Sequence, residues 1–353
     1  MMDRCIPKTG TFTRAGPTAV LPSPDEIDES YAGVLMRING FGTAGDLENA
    51  IAASSGLESS CLRKVTIVEL LARISGMSVE EFVCRHTTVP LRRGITPHHV
   101  STPHGSEARR GILSMASRRQ NSVGAVMCPG CVRAEQENLG RSYWHRELQI
   151  PGTIWCHRHR VPLLACKQEG AYFRSPSEFL SKGTSQQIEC DEAFVNSPAY
   201  KTYIGLCAAL METTRPYDSK AVGIVLAARC RARKVRRSTK SRGWLNWVPT
   251  LSGRARELFP EQWLNSMVPS SKGEGQIAQL ERAAWGTSHS HVTTYAIACA
   301  ILYASADEAM DDIYLGVREL EALEGKCRGW DRSVVCTDTD KNRMRLQAIV
   351  QSN

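Results

Sequence analysis

The run CPGCVRAEQENLGRSYWHRELQIPGTIWCHRH, residues 128–159, carries two half-sites: Cys128 and Cys131 with two residues between them, then a gap of 24 residues, then Cys156 and His159 at the same spacing. A two-residue gap lets both side chains of a pair reach one ion while neighbouring backbone N–H groups orient the sulfurs, and two such pairs close a tetrahedron. Three thiolates and one imidazole are soft to borderline ligands, a set that suits Zn2+. The competing reading is four unrelated core residues. The chain holds 13 cysteines, so one C-x2-C by chance is unremarkable; a second pair at zinc-ribbon distance is not explained that way. The expectation is therefore one structural zinc ion per chain on Cys128, Cys131, Cys156 and His159. Four protein ligands leave no open position for catalysis. His157 competes with His159, and the spacing favours His159. Cys166 reads as a small buried hydrophobe rather than a fifth ligand. Pro129 and Gly130 inside the first pair predict a tight turn, with proline presetting φ and glycine supplying a positive φ.

A metal module this small cannot bury much core of its own. The aromatic and apolar residues between the half-sites, Tyr143, Trp144, Leu148, Ile150 and Trp155, are expected to pack around the ion or to dock it on a neighbour. The chain divides on pattern into a tail (1–20), an N-terminal helical domain (21–90), a linker (91–125), the zinc module (126–170) and a C-terminal helical domain (171–353).

In the N-terminal domain, Asp28 or Ser30 is placed to cap a helix with the apolar face Tyr31, Val34, Leu35 and Ile38, which NGFG stops. LENAIAASSG is a second short helix. In VTIVELLARISGMSVEEFVCRHT, Val65, Val68, Leu71 and Ile74 share a face, Gly76 ends that helix, and Ser78 with Glu81 forms a capping box for the next. Two helices around so short a turn match the helix-turn-helix pattern. The second helix, however, opens on Glu80 and Glu81, which repel phosphate. A protein-docking surface at Leu70, Leu71, Glu80, Glu81 and Phe82 is predicted instead. Residues 87–125 are rich in proline, glycine, serine, histidine and arginine and read as a linker or extended strap; His98, His99 and His104 are candidate metal ligands by type, but as loop histidines they are expected to be solvated. Beyond residue 195, SPAYKTYIGLCAALMET, SKAVGIVLAARCRARKV, GQIAQLERAAW, VTTYAIACAILYASADEAM and DIYLGVRELEALE all suit helices. The fold class is mostly α.

Formal charge is +8, from 44 basic and 36 acidic residues. Residues 227–242 hold eight of the basic residues and no acid, so the remainder of the chain is neutral. Arg229, Arg231, Arg233, Lys234, Arg236, Arg237, Lys240 and Arg242 are read as a nucleic-acid contact acting by counterion release, with Arg229, Arg233, Arg236 and Arg237 on one helix side. The alternative is a solvated helix end. Trp244 and Trp247 follow directly. No Walker loop, G-x-G-x-x-G, H-E-x-x-H or G-x-S-x-G is present, so no enzyme is predicted. No apolar stretch reaches membrane-span length, and no secretory h-region is read, so a cytoplasmic protein with reduced thiols is expected.

In order, PDEIDESYAGVLMRINGFG, LLARISGMSVEEF and CPGCVRAEQE…YWHRELQIPGTIWCHRHRVPLLAC resemble the TniQ/TnsD family of transposition target-selection proteins. The module with its H-x-x-P-L-L tail is the most specific part. HSHVTTYAIACAILYASADEAM is similar to a helix near the family's C-terminal end. The resemblance implies zinc on Cys128, Cys131, Cys156 and His159. It also implies a non-catalytic role, linking a target-recognising element to an AAA+ regulator that recruits the transposase. That element is either a DNA attachment site or a CRISPR effector complex with guide RNA. A homodimer is left open. Many relatives carry a second cysteine knuckle; here Cys166 is followed by KQEG and Cys190 stands alone. A stand-alone, sequence-specific DNA-binding protein is the runner-up.

Overall fold

The structure is a computed structural model that describes residues 16–56, 65–107, 110–114, 124–235, 250–267, 277–286 and 289–328. Among these residues helices dominate and the strands are two or three residues long. The chain divides into two units, one of residues 1–94, 101–195 and 210–216, the other of residues 95–100, 196–209 and 217–353.

In the first unit, helices α1 (Asp28–Asn39), α2 (Ala44–Ser54), α3 (Ile67–Ser75) and α4 (Val79–His86) close around Tyr31, Leu35, Leu47, Ile51, Val68, Leu71, Phe82 and Val83. Local chemistry sets their ends. Thr43 with Asp46 and Thr66 with Glu69 form complete capping boxes for α2 and α3. Gly40 (φ 70°) and Gly76 (φ 74°) end α1 and α3 in the left-handed region. The predicted box on α4 is half formed. Ser78 accepts from the Glu81 N–H at 3.1 Å, but the Glu81 carboxylate turns to Arg85 at 2.8 Å. Neither predicted cap of α1 is used: Ile27 is the N-cap, and Ser30 instead donates to Glu26 at 2.9 Å. Ile38, in the last turn of α1, lies beyond the packed stretch and is 47% exposed.

The remainder of this unit frames the cysteines. Strand β2 (Ala125–Met127) leads into helix α5 (Pro129–Leu139) and pairs antiparallel with β5 (Leu164–Cys166), which pairs with β6 (Gln186–Gln187). A hairpin of β3 (Trp155–Cys156) and β4 (Val161–Pro162) holds Trp155 opposite Pro162 and Cys156 opposite Val161. Helix α6 (Pro176–Lys182) supplies Phe179 to the core beneath β2. The α1 helix approaches this half closely at Gly33, where a Cβ would stand 2.1 Å from the carbonyl oxygen of Phe173.

The second unit contains α7 (Pro198–Met211, whose end belongs to the first unit), α8 (Ser219–Ala232), α9 (Leu251–Leu258), α10 (Glu261–Met267), α11 (Ile277–Ala284), α12 (Val292–Leu302) and α13 (Ala306–Arg328). Helix α12 is buried on nearly every side, as its unbroken apolar sequence requires. VTTYAIACAILYASADEAM is not one helix. It stops at Leu302, and Ser305, accepting from the Glu308 N–H at 3.1 Å, starts α13. Strand β1 (Ile95–Thr96) pairs in parallel with β7 (Tyr217–Asp218).

Candidate metal centre

Cys128 is the residue before α5, and Cys131 lies in that helix's first turn. Pro129 takes the first helical position, where a missing N–H is not felt. Cys156 ends β3, and the turn to β4 is closed by the Arg160 N–H donating to the Cys156 carbonyl at 2.7 Å, with Arg160 at φ 53°. That turn brings His159 back over the start of α5. Its Nδ1 lies 3.6 Å from Cys128 Sγ, 3.4 Å from Cys131 Sγ and 3.7 Å from Cys156 Sγ, and Cys131 Sγ lies 4.0 Å from Cys156 Sγ. All four ligand atoms fall within 4.8 Å of one another. A tetrahedral ion with bonds of about 2.3 Å to sulfur and about 2.0 Å to nitrogen has S–S edges of about 3.8 Å and S–N edges of about 3.5 Å, so the cage has the size of such an ion. A disulfide would need roughly half the observed S–S separation, and Cys128, Cys131, Cys156 and Cys166 are all free thiols.

The electrostatics fit the same reading. Hydrogen bonds from Cys128 and then Cys131 hold the Cys156 thiol far below its ordinary value. Hydrogen bonds to Cys128 and Cys156, with burial, push Cys131 far above it. Three thiolates packed this closely repel one another. A divalent cation is what allows all three to ionise together. The cluster is compatible with a structural metal ion.

The glycine in the knuckle has a different purpose from the one predicted. Gly130 is not at positive φ. A Cβ there would stand 2.5 Å from Cγ and 2.7 Å from Cδ2 of His159, so glycine is required because the imidazole occupies the space a side chain would take. His157 is exposed and outside the cluster. Cys166 faces the core with Trp144 and Phe179, and Cys190 joins no metal-type grouping among the described residues.

The aromatic segment packs. Trp144 is fully buried, with Nε1 donating to the Arg174 carbonyl at 2.8 Å, and Leu148 lines the ligand cage. Buried Gln149 was not singled out in the sequence. Its amide accepts from the Val126 N–H at 3.1 Å and donates to the Val126 carbonyl at 2.8 Å, completing the edge of β2 that aims Cys128.

A buried ionic network beside the cage also escaped the sequence reading. Glu26 receives both Arg141 guanidinium nitrogens at 3.0–3.1 Å. His145 sits between Glu135, bonded through Nε2, and Asp25, 3.8 Å from Nδ1. Burial opposes the charged ring, but these two carboxylates lift His145 to about 9. Asp25 also accepts from Arg146 Nε at 3.1 Å and from the Glu147 N–H at 3.0 Å. Asp25, His145 and Glu147 resemble a metal grouping by type, but Arg146 already supplies the cation. The available signal was charge placed in apolar surroundings: PDE before α1, and R-S-Y-W-H-R between the half-sites.

Of the predicted partner surface, Leu70, Leu71 and Phe82 are at most 1% exposed. They are corrected to core residues that hold α3 on α4, which leaves Glu80 exposed and Glu81 half-exposed at the surface. The basic run is corrected in part. Helix α8 ends at Ala232, Arg233 is its C-cap with its N–H on the Arg229 carbonyl at 2.9 Å, and Lys234 takes φ 54°, so the helix side shared by Arg229 and Arg233 does not run past Arg233. Arg229 is committed to structure: it pairs with Glu308 and lies over the Tyr303 ring, 4.5 Å from its centroid. Arg231, Arg233 and Lys234 are exposed. Arg236, Arg237, Lys240, Arg242, Trp244 and Trp247 lie outside the described residues. His104, expected to be solvated, is fully buried, with Thr213 Oγ1 3.3 Å from Nε2 and an Arg93 nitrogen 3.4 Å from Nδ1.

No described helix is long and apolar enough to cross a membrane. No curated protein matches the chain. Residues 17–163 match the TniQ family, a stretch that takes in α1 to α5 and all four converging ligands and ends before the helices of the second unit. Over that stretch the chain is similar to the TniQ family, a match that implies a transposition-associated protein.

Proposed function

We propose that this protein is a non-catalytic target-selection adaptor in DNA transposition, shaped by one zinc ion on Cys128, Cys131, Cys156 and His159. The observation that carries this reading is the family match over 17–163, which spans the four helices and a ligand cage closed by four protein side chains. Zinc is the ion proposed because three thiolates and an imidazole at tetrahedral spacing are its preferred set. With every position taken by protein, its contribution is folding free energy rather than Lewis-acid chemistry. The adaptor links a target-recognising element, a DNA site or a CRISPR effector complex with guide RNA, to an AAA+ regulator and the transposase. Exposed Glu80 and half-exposed Glu81 on α4 suit a protein contact. Arg231, Arg233 and Lys234 at the end of α8 suit a polyanion.

Mapping insertions in cells with and without this chain tests the reading. Loss of target preference is expected; an unchanged insertion profile would refute it. A second reading, a stand-alone sequence-specific DNA binder, draws on the exposed basic residues of α8. Footprinting with the protein alone separates the two, because an adaptor protects little DNA without its partners.

A further inference from the structure

The ligand cage and the far end of the α3–α4 helix pair are joined by an unbroken line of polar contacts within the first unit. It starts on α5, which carries Cys131 and, one turn later, Glu135. No side chain caps the first turn of α5, and the residue at its N-cap is Cys128 itself. That turn is pinned by its two cysteines. Glu135 accepts from the Tyr143 N–H at 3.2 Å and pairs with His145. His145 faces Asp25, which takes Arg146 Nε and the Glu147 N–H. Arg146 then donates to the carbonyl of Cys84 and pairs with Glu212 at 2.5 Å.

Cys84 is in the last turn of α4, where carbonyls have no partner inside the helix. The neighbouring Val83 carbonyl is taken by Thr87 Oγ1 at 2.7 Å. Arg146 therefore closes the C-terminal end of α4 with a cation, the charge that end favours. A second tie runs alongside, His86 Nδ1 donating to the Glu26 carbonyl at 2.8 Å. Glu135, His145 and Arg146 are each at least nine-tenths buried. A displaced member would leave an uncompensated buried charge, so the line moves as a whole or breaks.

We propose that Glu135, His145, Asp25 and Arg146 couple the metal centre to the α3–α4 pair, so that occupancy of the four-ligand cage governs whether α4 stays docked. This rests on the reading of the cage as a metal site. Loss of the ion frees the first turn of α5 and with it Glu135; the pairing of His145 and Asp25 loosens, and Arg146 releases the end of α4. The helix bearing Glu80 and Glu81 would then be presented in a fixed position only by the metal-loaded protein.

The test is hydrogen–deuterium exchange on the full chain, loaded with Co2+ so that thiolate-to-metal absorption reports occupancy, and again after stripping with EDTA. In the wild type, stripping is expected to speed exchange over Val79–His86 about tenfold, along with Pro129–Leu139, while Val292–Leu302 stays protected. His145→Gln, which cannot bridge two carboxylates as a cation, should keep one cobalt yet show the faster exchange over Val79–His86 before stripping. Arg146→Lys, which keeps the charge but not the fork, serves as a second variant with the same expectation. Cobalt held normally, with Val79–His86 indifferent to stripping or to both substitutions, overturns the coupling alone. A wild-type chain that takes up no cobalt overturns the metal reading and the coupling with it.

Discussion

Replacing Gly130 with alanine sets two effects against each other. Glycine in a helix is unfavourable relative to alanine by at most about 1 kcal/mol, so propensity alone predicts a small gain in stability. The added Cβ, however, would stand 2.5 Å from Cγ of His159. Carbon atoms rest about 3.5 Å apart or more, so the ring must retreat by about 1 Å. A bond of about 2.0 Å from metal to nitrogen does not survive that displacement, and the site falls from four ligands to three. Perturbing only the groups behind a metal ligand costs 10–100-fold in affinity. Displacing a ligand should cost at least about 100-fold, or about 3 kcal/mol, which exceeds the propensity gain. Competition with a chromophoric chelator measures the affinity, and thermal unfolding with and without metal measures the stability. Wild-type affinity together with an equal or higher melting temperature in Gly130→Ala would refute the placement of His159 as a ligand.

Cys131→Ser should release the ion and lower solubility, read by metal analysis and light scattering, because structural zinc supplies folding free energy directly. His104 gives a pH dependence. Burial, then the Arg93 charge, lowers it to about 3, whereas the unfolded ring titrates near about 6.5. The unfolded chain thus binds the proton first as pH falls, so this contribution is fully present above about 6.5 and is lost progressively toward pH 3, by up to about 5 kcal/mol. Urea melts across that range should show a shallower slope in His104→Gln, and an unchanged slope would contradict the burial of this ring. Removing the charges of Arg231, Arg233 and Lys234 together should reduce the log–log salt slope of nucleic-acid binding by about 0.9 for each phosphate that is no longer neutralised; an unaltered slope would make them a solvated helix end. Reversing Glu80 and Glu81 to lysine should impair partner pull-down while leaving metal content and DNA affinity intact, and a change in DNA binding alone would sink the proposed division of surfaces.

Short-range order was open to sequence reading. Two half-sites of matched spacing single out the residues whose ligand atoms converge, because a knuckle is built from neighbours in the chain. Gly40 and Gly76 end their helices as their position implies, since only the local backbone decides a left-handed cap. The apolar run of α12 announces a buried helix because a helix without a polar face has nowhere else to go.

What tertiary structure alone decided are pairings between distant residues, which no periodicity encodes. Arg229 is a structural cation because Glu308 and Tyr303 meet it across about 75 residues. Leu70, Leu71 and Phe82 read equally as core or as docking face until α1 and α2 cover them. His104 reads as a solvated loop residue until Arg93 and Thr213 enclose it. Gly130 carries a turn signal in sequence, yet it is demanded by an imidazole from 29 positions further on. Asp25 and Arg146 are 121 residues apart, and their charges acquire a common purpose only when the start of α1 is laid against the segment between the two half-sites, where a buried charge must find its partner in space.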